Sequence, residues 1–99
     1  MPFVIRYTKA AREEISELRA FENTRILDEV RRQLTQEPMR PTTNRKLIEG
    51  IAPSFEHDPP VWELRVGKYR VFYDVHAAER VVMVRAIRLK GTRSTEEIV

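Results

Sequence analysis

Arginine and lysine are the residues of this sequence whose spacing points to chemistry. From Val61 to Arg88 the chain reads VWELRVGKYRVFYDVHAAERVVMVRAIR, alternating at the period of a half-buried strand. Trp62, Leu64 and Val66 share one face, while Glu63 and Arg65 take the other. Gly67-Lys68 supplies a two-residue hairpin loop with glycine first, as a tight primed turn requires. If Val66 pairs with Tyr69, Arg65 stands opposite Arg70. If Val75 pairs with Arg80 across the loop His76-Ala77-Ala78-Glu79, Arg70 also stands opposite Arg85. A row Arg65–Arg70–Arg85 is therefore expected on one sheet face. Like charges facing each other cost a sheet roughly 0.2–1 kcal/mol per pair. Singly, each is an ordinary solvated arginine on the open side of an antiparallel sheet; in register, the three make an anion site.

An arginine fork suits phosphate because it contacts two oxygens at once. RNA carries its own nucleophile, the 2′-hydroxyl, so a protein can cleave it by orienting that group and stabilising charge on the phosphate. Glu63 lies on the arginine face and is read either as a base or as the salt-bridge partner that makes the row tolerable. Phe72 shares that face and either stacks on a base or packs against Met83. Arg45 and Lys46 in the preceding loop, Lys68 at the hairpin tip, and Arg88, Lys90 and Arg93 at the end of the meander complete the candidate RNA-binding set. His57 and His76 are expected to be solvent histidines, and Asp58, Asp74 and Glu79 form no ligand pattern. With no metal-binding spacing and no phosphate-cradling glycine loop, no metal or cofactor is expected.

The elements that must position these groups follow from the rest of the chain. Ninety-nine residues suit one domain with a single modest core, and residues 1–99 are expected to form it. With 33% charged and 41% hydrophobic residues, a folded soluble protein is the default. No apolar run spans a bilayer, no signal peptide is evident, and the lack of cysteine suits a reducing cytoplasm. From Leu64 to Arg93, eight basic residues face two acidic ones, a local balance of +6 in a chain of net +3. Charge gathered on one element is the footprint of a nucleic-acid or acidic-protein partner. Phe3–Tyr7 reads as a strand, and Thr8 caps a helix running from Lys9 to about Ala20. A second helix begins near Asn23 or Thr24, carries Ile26, Leu27, Val30 and Leu34, and stops at Pro38. Pro38–Pro60 is a long connection, and Ser94–Glu97 has a capping-box pattern with too few residues after it to hold a helix alone. The fold class is α+β: an N-terminal strand, a helix hairpin, and a three-stranded antiparallel meander forming a twisted sheet with the helices on one face.

That order resembles the RelE/ParE superfamily, the toxins of type II toxin–antitoxin systems. The segment W-E-L-R-x-G-x-Y-R-V-F-Y-D-V at Trp62–Val75 and V-x-A-I-R-x-K at Val84–Lys90 carry the resemblance, which covers essentially the whole chain. Lys46-Leu47 before Gly50 resembles the family's loop motif. The resemblance implies that the face away from the helices is the working surface. It implies a metal-independent, ribosome-dependent mRNA endoribonuclease that inhibits translation, held in a hetero-oligomer by a cognate antitoxin. By motif, Arg70 matches the phosphate-contacting arginine and Lys46 the loop lysine; Arg65, Lys90 and Arg93 complete the expected catalytic set. Two departures stand out: Val61 and Glu63 replace lysines of the archetypal RelE, and no Tyr or His follows Arg88. These keep open a ParE-like DNA gyrase inhibitor without nuclease activity and an inert binding member of the fold. Apolar Phe72, Val81, Met83 and Ile87 on the arginine face call for a covering partner.

Overall fold

Strand β1 (Val4–Tyr7) opens the chain in the computed structural model, which describes all 99 residues. Thr8 then turns it into α1 (Lys9–Ser16): its Oγ1 accepts from the Ala11 amide at 3.1 Å, satisfying a donor that the helix start leaves free. Thr8→Ala should therefore lower the unfolding free energy by about 1 kcal/mol in urea titration, and Thr8→Ser should not.

The first helix stops earlier than its sequence pattern suggests, and α2 (Ala20–Leu34) starts earlier, from an N-cap, Arg19, that makes no side-chain cap bond. Asn23 explains the difference. Instead of capping its own helix, it sits one turn inside α2 and donates to the Ile15 carbonyl at 3.1 Å, closing the end of α1.

The long connection carries a short edge strand, β2 (Arg45–Leu47), before the meander β3 (Trp62–Val66), β4 (Tyr69–His76) and β5 (Val81–Leu89). The five-stranded sheet has the order β1-β5-β4-β3-β2, with β1 parallel to β5 and the other pairs antiparallel. Ala11, Ile15, Ile26, Val30 and Leu34 from the helices meet Trp62, Leu64, Val71, Tyr73, Val82 and Val84 in the main core. The first hairpin has the expected register, with Val66 opposite Tyr69 and Arg65 opposite Arg70; Gly67 takes the required positive φ of 57°.

The second hairpin does not. Its loop is displaced, so that His76 pairs with Val81, and a bulge then adds one residue to β5 between the pairs Tyr73–Val84 and Phe72–Ala86. Arg85 is the extra residue. An odd insertion reverses the face of everything beyond it: Ile87 enters the main core, and Arg88 becomes the residue opposite Arg70. The row is therefore Arg65–Arg70–Arg88. Ile87's amide, left where β1 has ended, is taken by the Glu14 carboxylate at 3.0 Å.

The far face of the sheet is covered by the chain itself. Val61, Phe72, Ala86 and Ile98 form a second apolar cluster, with Ile48, Phe55 and Val99 packed against it. Ile98 belongs to a one-turn helix, α3 (Thr95–Ile98), which does form, its start held by the Ser94–Glu97 capping box and its body by this packing. Phe72 is wholly buried, with the Phe55 ring 5.7 Å away centroid to centroid, and is not available to stack on a base. Of the apolar patch expected at Phe72, Val81, Met83 and Ile87, Phe72 and Ile87 are buried, and Val81 and Met83 are half-buried.

Candidate functional site

Where the arginine row meets edge strand β2, the far face opens into a cleft of about 220 Å³ lined by Thr42, Thr43, Asn44, Arg45, Lys46, Glu63, Arg65, Arg70 and Lys90. No apolar residue lines it. The registers explain the gathering: Lys46 pairs with Glu63, which pairs with Phe72, and one step along Arg65 pairs with Arg70. Hence Lys46 and Glu63 stand in one cross-strand row and the arginines in the next.

Arg70 is the anchored member. Its Nη1 donates to the Gly67 carbonyl at 3.0 Å and the Tyr69 carbonyl at 2.9 Å, bracing the guanidinium against the hairpin. Burial holds its pKa below the usual arginine range, a tendency that Glu63 opposes and Arg65 reinforces. It stays charged, and a cation already stripped of water gains from an arriving anion. Arg65 is exposed beside it and Lys46 is largely exposed.

Glu63 is the only carboxylate of the cleft and is only 3% exposed. Its oxygens accept from the Thr95 hydroxyl at 2.7 and 3.1 Å. The cations are further off: Arg70 Nε lies at 3.8 Å and Lys46 Nζ at 3.9 Å. Of its two expected roles, the geometry supplies the ion pairs directly and leaves the carboxylate facing the cleft. Thr95 had no signal in the sequence beyond its place in the capping box; its contact exists only because α3 folds back.

The remaining expected residues are placed elsewhere. Arg45 lines the cleft, but its Nη1 donates to the Gln33 carbonyl at 2.7 Å and to the Glu37 carbonyl, so its charged end closes the last turn of α2. Lys68 leans to the helix side, 3.7 Å from Glu22. Arg88 is tied to the Glu14 carboxylate, donates to the Ile98 carbonyl at 3.1 Å, and has its pKa lowered by burial. Arg93 is exposed and donates to the Leu89 carbonyl.

Arg85 is the largest correction. It is 8% exposed and forms a buried ion pair, Nε to Asp74 at 2.8 Å, with Asp58 at 3.2 Å. Asp58 and Asp74, expected to form no ligand pattern, come together with His76, their ligand atoms within 4.8 Å of one another. His76 Nε2 lies 3.0 Å from Asp74, so it is not a free solvent histidine. The Arg85 guanidinium already supplies this cluster with its cation. His57, whose Nδ1 meets the Phe55 carbonyl at 2.8 Å, is likewise outside the cleft.

The fold is similar to that in the crystal structure of the toxin–antitoxin complex RelBE2 from Mycobacterium tuberculosis (TM-score 0.71, 19% identity, 90% of this chain and 99% of that one). It is equally similar to the archaeal RelE–RelB complex from Pyrococcus horikoshii OT3 (TM-score 0.70, 22% identity, 93% of this chain and 99% of that one). The family model for the ParE toxin of the type II toxin–antitoxin system, parDE, matches residues 5–91, and the chain belongs to this family. It is a RelE/ParE superfamily toxin of a type II toxin–antitoxin system. No protein of curated function matches the sequence. No helix is long and apolar enough to cross a membrane.

Proposed function

We propose that this toxin cuts mRNA in the ribosome, without metal, by seating a phosphodiester among Lys46, Arg65, Arg70 and Lys90. The observation that carries this reading is a wholly polar cleft with those four cations around one carboxylate, Glu63. The arginines hold the scissile phosphate and offset the charge that grows on it. Glu63, oriented by Thr95, takes the proton of the attacking 2′-hydroxyl. Lys90 is the candidate acid for the leaving oxygen. Between toxic episodes a cognate antitoxin covers the toxin in a hetero-oligomer, a reading supported by the two similar structures, both toxin–antitoxin complexes. The working place is the cytoplasm, where the ribosome is, and residues 1–99 act as one domain.

A second reading has its own observation: neither histidine and no tyrosine lines the cleft. A toxin that binds without cutting, poisoning DNA gyrase in the manner implied by the ParE resemblance, needs no proton-transfer pair. An inert binding module needs none either.

Mapping mRNA 5′ ends in a translation extract separates them. Cuts within translated codons, reduced about 100-fold by Glu63→Gln, are the expected result. Intact mRNA with accumulating gyrase–DNA breaks selects the second reading, and neither effect from folded protein selects the inert module.

A further inference from the structure

The cleft contains its own competitor. Glu63 is an anion standing among the cations that would receive a phosphate, yet it stops short of them. Its separations from Arg70 and Lys46, 3.8 and 3.9 Å, exceed hydrogen-bond length, whereas Thr95 binds it at 2.7 Å. A carboxylate free to choose would close on the guanidinium, since charge-assisted bonds of 2.7–2.9 Å are stronger than one hydroxyl contact. Something must hold it back.

The holder is α3. One helical turn is unstable by itself, but this one is fixed at four points. Ile98 is buried in the Val61–Phe72–Ala86 cluster. Arg88 Nε donates to the Ile98 carbonyl at 3.1 Å, Ser54 Oγ donates to the Val99 carbonyl at 3.0 Å, and Ser94 and Glu97 close the capping box. The fixed turn delivers one buried polar group to the Glu63 carboxylate, the Thr95 hydroxyl, 9% exposed as a residue.

We propose that Thr95 is a positioning residue that keeps the phosphate seat open by drawing Glu63 off Arg70 and Lys46. Without that hydroxyl the carboxylate closes on both cations and a phosphate must displace it. The inference rests on the reading of the cleft as a nucleic-acid phosphate site, but not on whether the nucleic acid is cut.

A short oligonucleotide with 2′-deoxy sugars throughout, which cannot be cleaved by 2′-hydroxyl attack, is the probe; its binding is followed by fluorescence anisotropy. Thr95→Val should bind about tenfold more weakly than wild type, the order set by losing one hydrogen bond to a charged group. Thr95→Ser, which keeps the donor, should bind like wild type. Ile98→Ala, which loosens α3 but leaves Thr95 in place, should show a loss in the same direction. Glu63→Gln in the Thr95→Val background should restore binding, because a neutral amide does not occupy the cations. Glu63→Gln alone is the control: a merely structural role for Thr95 would leave the double variant as far below that control as Thr95→Val is below wild type. Wild-type affinity in Thr95→Val, or no rescue in the double variant, overturns the proposal. If the oligonucleotide pattern holds while mRNA stays intact, the nuclease reading falls and this inference stands. If wild type binds no oligonucleotide at all, this inference falls, and the map of mRNA 5′ ends decides the nuclease reading separately.

Discussion

Asp74→Ala should lower the unfolding free energy by about 3 kcal/mol, the lower end of the range for breaking a buried ion pair. Asp74 is 1% exposed and carries four contacts: Arg85 Nε at 2.8 Å, Arg85 Nη2 at 3.3 Å, the Asp58 amide at 2.9 Å and His76 Nε2 at 3.0 Å. Alanine would leave a buried guanidinium and a peptide N–H without their acceptor. The loss falls at the lower end because Asp58, whose side chain is 66% exposed, remains 3.2 Å from Arg85 and can share the charge. For a domain whose total stability is typically about 5–15 kcal/mol, that is a large fraction. The penalty belongs to the uncompensated charge rather than to the worth of the pair. The double replacement Asp74→Leu with Arg85→Met should therefore recover most of it. Urea denaturation checks both, and a single variant within 1 kcal/mol of wild type would show that Arg85 is solvated by some other route.

The same residue marks where the sequence was legible and where it was not. The β3–β4 hairpin could be written down pair by pair, because Gly67-Lys68 leaves only one tight register. The Thr8 cap and the apolar stripes of the helices were equally plain. Strand β5 departs from its sequence pattern for two separate reasons. Its loop, shifted by two residues along the partner, changes pairings without changing faces. The bulge at Arg85 then changes the faces, and the only sign of it in the sequence is that Ala86 and Ile87 stand side by side as apolar residues between Arg85 and Arg88. A bulge contributes no local propensity. It is selected by what it joins, here Arg85 to Asp74 and Ile87's amide to Glu14.

Tertiary cover hid the rest. Phe72 was expected on a working surface, and it is on that side of the sheet. Whether it faces solvent depends on Phe55 and Ile98, which lie 17 and 26 residues away in sequence. The cleft survives because this cover stops at Glu63: apolar residues bury the Phe72 and Ala86 end of that row, and polar ones line the Lys46 end. One sheet face thus serves as core over one part and as a charged cleft over another. Periodicity cannot separate them, since it assigns a residue to a face and not to a position along it.

Arg70 is where the cleft and the scaffold meet, and Arg70→Ala should have the largest effect on function. If Arg70 holds the scissile phosphate, removing it should cut the cleavage rate by about 10²–10³, as losing one preorganised charge stabiliser does. Toxicity on induction should disappear with it. Binding to single-stranded RNA should also lose roughly 0.7 from the slope of log affinity against log salt, the share of one phosphate contact. Alanine also removes the braces to Gly67 and Tyr69 and the nearest arginine to buried Glu63, so a loss of stability must be measured beside the rate. Arg70→Lys separates the two effects. It keeps a charge near Glu63 but not the planar fork, so it should fold well, keep the salt slope, and still cleave about tenfold or more below wild type. Cleavage by well-folded Arg70→Ala within threefold of wild type would remove Arg70 from the site and leave Arg65, exposed on the neighbouring strand, as the phosphate contact.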